Sequence, residues 1–289
     1  MPGVSVRIAG GLGNQMFQYA AARALALRLG VPLTLDVSFY DRKRHRAYGL
    51  DALPLAEHRE RGQAGGGRWS RFVAGLNRRL QGRAVQLYRE PHVHVDEAFF
   101  ALQAPVHLEG YFQSARYFEA AAEQIQAELS PPEPDDVLSQ HIARAMAAGP
   151  AAALHVRRGD YLSNPKNRAV FAVGDEAFFQ AALSRLPEDC TVFVFSDDMV
   201  WSRGHLPKIR RLEFVDDGYP REALADLWLM RRARHHVIAN SSLSWWGAWL
   251  AKRGEGSDAE RGLTIAPKRW FVDPAYDDRD IVPPGWLRL

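Results

Sequence analysis

Twice along this chain, short apolar runs alternate with helical stretches, and that order leaves few folds open. Val4 to Ala9 has the length of a strand, and Gly10-Gly11-Leu12-Gly13-Asn14 follows it as a tight turn. From Gln15 to Leu29, the side chains Phe17, Ala20, Ala21, Ala24, Leu25 and Leu29 fall on one helical face. Gly30 is placed to end that helix. Val31 to Leu35 is a second strand, with Asp36 at its carboxyl end. A strand, a helix and a strand in this order predict a parallel sheet. The pattern returns further on. Helices are expected over Asp136 to Ala148, Glu176 to Leu186, Arg221 to Arg231 and Leu243 to Ala251. Strands are expected over Ala152 to Val156, Thr191 to Phe195, Arg211 to Val215, His236 to Ala239 and Leu263 to Ala266.

Between the two sets, Val106 to Leu108 is a strand candidate and Phe118 to Leu129 a helix. Arg42 to Arg89, with its cluster Gly65-Gly66-Gly67, is read as loops and short helices over the first sheet. Ser130-Pro131-Pro132-Glu133-Pro134 is the best linker, because its prolines cannot continue a helix. Two α/β domains are therefore expected, 1–134 and 135–289, with a Trp- and Pro-rich tail after about 267 packing back on the body.

Composition narrows the classes. With 289 residues, 47% of them hydrophobic, the chain can build a substantial core without a staple. A single cysteine, Cys190, rules out an intrachain disulfide, and its place before an apolar strand suits a buried hydrophobe. The net charge of +3 permits anionic partners. The arginines are dispersed, however, and not interleaved with aromatics as a nucleic-acid surface would require. No run approaches the roughly 18 uncharged apolar residues of a spanning helix. Arg7 and the glycines interrupt any signal-peptide centre, so a cytoplasmic location is expected, with loose association at the inner membrane face permitted.

The polar groups that close the apolar strands carry the chemistry. His155-Val156-Arg157-Arg158-Gly159-Asp160-Tyr161 ends one strand, and a planar guanidinium there suits a phosphate. By the period of two, His155 and Arg157 share a face. The competing reading is a structural ion pair, Arg158 with Asp160 or another acid. Ser196-Asp197-Asp198 and Asn240-Ser241-Ser242 end two other strands, where they suit ribose and base edges or simply cap helices. The turn Gly11 to Asn14 offers backbone N–H groups to an anion, but it is neither a P-loop nor a dinucleotide fingerprint. Asp226, in a helix rich in Leu, Trp and Met, is by itself an exposed acid. Asp278-Arg279-Asp280 reads as a solvated tail, and no His, Cys or Glu spacing supports a metal. His235-His236 and Trp245-Trp246 read as packing.

Taken together, these motifs resemble the α-1,2-fucosyltransferase family. Gly10 to Ala20 (GGLGNQMFQYA) is similar to its opening motif and His155 to Tyr161 to its central one. Phe195-Ser196-Asp197-Asp198 with Trp201, and Asn240 to Leu250 (NSSLSWWGAWL), are similar to the two later ones. The resemblance implies a GT-B-like α/β fold, two Rossmann-like domains facing each other across a cleft. The N-terminal domain would serve the acceptor and the C-terminal domain the donor. It further implies GDP-β-L-fucose as co-substrate, inversion, no metal and no cofactor. By the same resemblance Arg157 binds the β-phosphate and His155 lies beside the nucleotide. Asp226 accepts from guanine, Ser241 and Ser242 bind phosphate, and Gly11, Gly13 and Asn14 close over the donor. Arg158, Ser196, Asp197 and Asn240 complete the donor set.

The expected reaction is fucosyl transfer to the 2-hydroxyl of a terminal β-galactoside glycan, with charge growing on the departing diphosphate. For the base that deprotonates the acceptor, Asp160 is the first candidate, with Glu109 and Asp36 as alternatives. Two other functions stay open: a fucosyltransferase of another linkage, α-1,6 or protein O-linked, and a non-catalytic GDP-sugar or glycan-binding protein.

Overall fold

The computed structural model describes residues 3–41, 47–56, 58–61, 85–171, 173–216, 221–251 and 262–289. The chain divides into two compact units, Met1–Ser130 with Arg279–Ile281, and Pro131–Asp278 with Val282–Leu289. Each is α/β with one wholly parallel sheet among its described residues, so the chain has the two Rossmann-like units of a GT-B-like protein.

The first unit contains β1 (Val4–Arg7), α1 (Leu12–Leu29), β2 (Leu33–Asp36), β3 (Arg59–Arg61), β4 (Gln86–Arg89), β5 (Val106–Glu109) and α2 (Ala122–Glu128). Its sheet order is β3-β2-β1-β5-β4. β1 is central because Val4 and Val6 are buried and find Leu33, Leu35, Val106 and Leu108 beside them. The chain steps outward from β1 to β3, then returns on the other side through β4 and β5. The strand order therefore reverses between β1 and β5. Crevices for ligands open at such a reversal, beyond the carboxyl ends of the strands.

α1 begins at Leu12, earlier than its apolar spacing suggests, so Gly13 and Asn14 lie in its first turn and not before it. The left-handed residue of the turn is Gly10, at φ 87°. Gly30, at φ 63°, ends the helix. Its N–H donates to Leu27 O and that of Val31 to Ala26 O, a Schellman closure. Two buried glutamines of α1 stitch the neighbouring turns together. Gln18 accepts from Ala9 N and donates to Gly110 O, while Gln15 donates to Gly10 O and accepts from Gly49 N. Tyr19 and Arg23 both donate to Glu128 on α2, fixing one helix on the other.

Two strands, β3 and β4, lie where loops and short helices are expected. Both are sheet edges, and β3 reads Arg-Glu-Arg while β4 buries only Tyr88. Charge along an edge guards it against further pairing, and it also hides the strand from a hydrophobic pattern. The glycines at 65–67 lie outside the described residues. Over Phe118 to Leu129 the expected helix is split into a 3₁₀ turn, Glu119–Ala121, and α2.

The second unit runs α3 (Val137–Ala147), β6 (Ala151–Val156), α4 (Gly159–Ser163), α5 (Pro165–Val170), α6 (Glu176–Arg185), β7 (Thr191–Ser196), α7 (Met199–His205), β8 (Arg211–Phe214), α8 (Ala223–Met230), β9 (His235–Val237), α9 (Ser242–Trp249), β10 (Thr264–Ala266) and β11 (Leu287–Arg288). Its sheet order is β11-β10-β9-β6-β7-β8, reversing between β6 and β9. Every residue of β6 is buried. Ala152, Leu154 and Val156 pack with Phe179 and Leu183 of α6 on one face. Ala151 and Ala153 pack with Ile142 of α3 and Trp228 of α8 on the other. Helices on both faces explain why the strand is apolar without alternation.

The tail differs from its expected solvated state. Asp278 accepts from Trp270 N at 2.5 Å and pairs with Arg288 at 3.0 Å. Asp280 accepts from Val95 N and Arg116 in the first unit. Both acids are consumed as pins. His235, His236, Trp245 and Trp246 are buried, and so is Cys190, whose thiol burial pushes up to about 11. Among the described residues, no helix is long and apolar enough to cross a membrane.

Candidate active site

The second unit gathers its polar groups at the carboxyl edge of the sheet, around the β6/β9 reversal. Arg157 and Arg158 leave β6 and enter α4. The Asp197 carboxylate, just past β7, accepts from Arg158 N at 2.8 Å and Gly159 N at 3.1 Å. It also pairs with Arg157 Nη1 at 3.0 Å. Glycine at 159 leaves room for that carboxylate, since a Cβ there would stand 2.7 Å from Asp197 Oδ2. Arg157 also lies 5.5 Å from the ring of Tyr161, whose hydroxyl donates to Asn240 O beyond β9. One carboxylate and one tyrosine thus set the arginine at the strand reversal.

Arg158 is used differently. Its guanidinium lies 3.8 Å over Trp201, and its Nε is 3.4 Å from Asp198, an ion pair without a hydrogen bond. Asp198 also caps α7 by accepting from Trp201 N, and Ser196 Oγ accepts from Asp198 N and Ser202. The capping role foreseen as the alternative for Ser196 and Asp198 is therefore occupied. The expected pairing of Arg158 with an acid is met by Asp198.

His155 is buried beside them, and its Nδ1 has no hydrogen-bond partner. Burial, with the charge of Arg157 acting the same way, pushes its pKa down to about 4, so the imidazole is neutral at physiological pH. Asn240, also buried, donates to Trp270 O. Ser241 precedes α9 without its side chain capping it, and Ser242 is that helix's first residue.

Asp226 is not the exposed acid its surroundings in the sequence suggest. It lies in the first turn of α8 with a side chain 22% exposed. Burial raises its pKa against the pull of Arg221, whose Nε donates to Oδ1 at 2.7 Å. Arg221 itself is only 10% exposed; it also donates to Ser139 Oγ at 2.7 Å and lies 3.7 Å from Asp136. Sequence reasoning missed Arg221, because five residues separate it from Asp226 and only the start of the helix brings them together.

In the first unit, Gly11 is the N-cap of α1, and Asn14 accepts from Gln113 at 2.8 Å across the β1/β5 reversal. Of the base candidates, Glu109 accepts from Arg89 at 2.8 Å, which holds its carboxyl below the usual range. Asp36 accepts from its own loop at Ser38 N. Asp160 lies on α4, but its side chain is outside the described residues. Glu90, which sequence reasoning passed over, follows β4 and accepts from Tyr111 N at 2.6 Å and Phe112 N at 3.0 Å. Burial pushes its pKa up to about 7. The only signal for it is its place at the end of a strand too polar to be read.

Comparison with known proteins assigns the chain. The family model for glycosyl transferase family 11 matches residues 90–289. The chain belongs to glycosyl transferase family 11. An α-1,2-colitosyltransferase of Escherichia coli is 29% identical over 99% of this transferase and 98% of its own length. The O-antigen biosynthesis glycosyltransferase WbnK of Escherichia coli is 26% identical over 98% of this chain and 99% of its own. The galactoside α-(1,2)-fucosyltransferase 1 of Sus scrofa is 30% identical over 57% of this chain and 49% of its own.

Proposed function

We propose that this family 11 glycosyltransferase moves a 6-deoxy-L-hexose from a GDP-sugar to the 2-hydroxyl of a terminal β-galactoside, with inversion at C1. The sugar is fucose or its 3-deoxy analogue colitose. The observation that carries the proposal is Arg157, set by Asp197 at the strand reversal of the second unit. In the reaction the acceptor oxygen attacks C1 from the face opposite GDP, and the C1–O bond to the β-phosphate breaks. Arg157 meets the charge that grows on the diphosphate, with Ser241 and Ser242 at the start of α9 as neighbours on the same edge. Removing one such donor typically costs about 3 kcal/mol of barrier. Asp226 accepts from the guanine edge, and neutral His155 lies beside the nucleotide. On this reading the arginine supplies the electrostatic role, so turnover requires no added metal and survives chelation.

The full-length likeness to an α-1,2-colitosyltransferase supports the linkage, and that to an O-antigen transferase supports a bacterial surface polysaccharide as acceptor. The test is GDP release from GDP-fucose and GDP-colitose against a panel of galactosides, followed by NMR of the product. An α-1,2 bond to galactose is expected. An α-1,6 or serine-linked product would replace the linkage. Binding of GDP-sugar with no GDP release for any acceptor would leave a binding protein.

A further inference from the structure

The second unit distributes its charge unevenly between the two edges of its sheet. Because the strands are all parallel, the connections from helix to strand lie together at the amino edge, opposite the site. The register aligns the strand starts: Ala151 stands beside Thr191, Thr191 beside Arg211, and Ala152 beside His235. Strands about 4.8 Å apart put these starts within roughly 15 Å of one another. At the carboxyl edge, Arg157, Arg158, Arg203 and Arg221 each have an aspartate partner. At the amino edge, Arg144 and Arg185 lie in the last turns of α3 and α6, Lys208 precedes β8, and Arg231 and Arg232 precede β9. None of them has an ion pair among the described residues, and all but Arg231 are exposed. The acids on these connections are Glu188 and Asp189, while Glu213 on β8 is taken by Arg211. Residues 252–261, outside the described ones, hold three cations and three acids and so add no net charge.

A cation in the last turn of a helix offsets the helix dipole, which accounts for Arg144 and Arg185 by themselves. It does not account for Arg231 beside Arg232. Arg231 is half-buried, and burial and the charge of Arg232 both lower its pKa with no acid acting against them. Arg232 lies 3.8 Å over the buried ring of Trp228, which fixes that guanidinium at the edge. Like charges side by side repel and cost the fold, and an anionic surface outside relieves that repulsion. Ile209 adds a second kind of contact. It is 38% exposed and stands between Lys208 and Arg210. An exposed aliphatic side chain flanked by cations suits the boundary between lipid headgroups and acyl chains. A nucleic-acid surface would instead interleave its cations with exposed rings, and no exposed Phe, Tyr or Trp stands on the described parts of these connections.

We propose that the amino edge of the second sheet docks this chain on a membrane surface of anionic lipid headgroups, with Ile209 entering the headgroup layer. Arg144, Arg185, Lys208, Arg231 and Arg232 supply the attraction, each strengthening binding by roughly fivefold where it comes within about 8 Å of the surface. β6 is six residues long, so the opposite edge stands about 20 Å off the surface. Docking in this orientation does not depend on which sugar the site moves.

The test is sedimentation of the full chain with vesicles of phosphatidylcholine alone and with about a third phosphatidylglycerol. Binding to the anionic vesicles is expected to exceed binding to the neutral ones by about tenfold or more at about 0.1 M salt, and to be lost near about 1 M. Arg185→Ala, Lys208→Ala and Arg232→Ala together should weaken it by about a hundredfold, with Tm and circular dichroism near wild type. Arg168→Ala, Lys268→Ala and Arg269→Ala together remove the same charge from the carboxyl edge, and should change binding by less than about threefold. Ile209→Ser should weaken binding by roughly threefold to tenfold, and unchanged binding would overturn its insertion. A wild type with no preference for anionic vesicles would overturn the proposal. So would equal losses in the two triple variants, which would make the attraction one of net charge alone. Tighter binding to a single-stranded oligonucleotide than to the vesicles, at the same salt, would assign the edge to nucleic acid instead. If the amino-edge triple variant does not fold, Lys208→Ala decides alone: about a fivefold loss supports the docking edge, and unchanged binding overturns it.

Discussion

Replacing Arg221 by methionine tests the guanine role proposed for Asp226. The guanidinium donates to Asp226 and Ser139 and lies near Asp136, so its loss leaves Asp226 short of its counter-charge and Ser139 short of a donor. Breaking a fully buried pair typically costs about 3–5 kcal/mol. Asp226 keeps a fifth of its surface in water, so about 2 kcal/mol is expected here. For a unit of this size that is a fall in Tm of roughly 4–8 °C. The pH trend follows from the direction of the shift. Burial already raises the Asp226 pKa, and without Arg221 it rises further. A carboxyl whose folded pKa is raised favours the fold below its unfolded pKa and loses that contribution as pH rises through the folded one. The Tm deficit of Arg221→Met should therefore widen from pH 5 to pH 8. Binding moves the other way, since guanine N–H groups need the ionised acceptor. GDP affinity of the variant should weaken as pH falls and recover as it rises, with the wild type flatter over the same range. Losing a hydrogen bond to a charged acceptor, about 1.5–3 kcal/mol, is roughly a tenfold to hundredfold change in Kd. Calorimetric titration with GDP and thermal unfolding in parallel buffers read both trends. A variant that binds GDP within twofold of wild type at every pH would refute the guanine role of Asp226, and an unchanged Tm would refute the bracing role of Arg221.

Arg157→Ala should lower turnover a hundredfold or more while circular dichroism and Tm stay near wild type; near-normal GDP release would remove it from the reaction. Gly159→Ala drives a methyl into Asp197 Oδ2, so the two backbone bonds and the Arg157 contact should fail together. Its expected signature is lost turnover with about 2–4 kcal/mol lost in urea unfolding, and a fully active variant would contradict the geometry. Glu109→Gln should leave kcat within about threefold in the GDP-release assay, because Arg89 keeps that carboxylate a weak base. A hundredfold loss would restore Glu109 as the proton acceptor.

The strands buried on both faces were legible because their residues are nearly all apolar. β6 and β7 read as Ala-Ala-Ala-Leu-His-Val and Thr-Val-Phe-Val-Phe-Ser, and both lie mid-sheet. α1 was legible from its spacing, and its end from the one residue type that adopts φ 63° without strain. The edges were not. β3, β4 and β11 carry charge or are two to four residues long, and an edge strand needs neither periodicity nor burial to pair. α4, α5 and α7 are five to seven residues each, shorter than the window in which a helical period can be seen. The site followed the same division. Residues at the ends of strong strands, Arg157, Asp197 and Asn240, stand out as candidates in the sequence, and the structure brings them to one sheet edge. Glu90 ends a weak strand, and Arg221 acts through partners on two helices, so neither left a pattern.

The two adjacent arginines are held in different ways. Arg158 lies on Trp201 and faces Asp198, which itself caps α7, so moving it would disturb a helix start and a ring stack together. Such contacts are worth roughly 0.5–2 kcal/mol when partly desolvated, enough to hold a side chain in place. Arg157 faces an acid of another kind. The Asp197 charge is already met by two backbone N–H groups, so its hold on the neighbouring guanidinium is weakened and its function is chiefly to aim it. Under the proposed function, an incoming diphosphate would compete for Arg157 with a carboxylate that keeps its two backbone bonds. Arg158 differs in its ring contact: it is stacked on Trp201, so leaving Asp198 would break that stack as well. The stack on Trp201 is therefore the reason the proposed function takes residue 157, not 158, as the one that meets the anion.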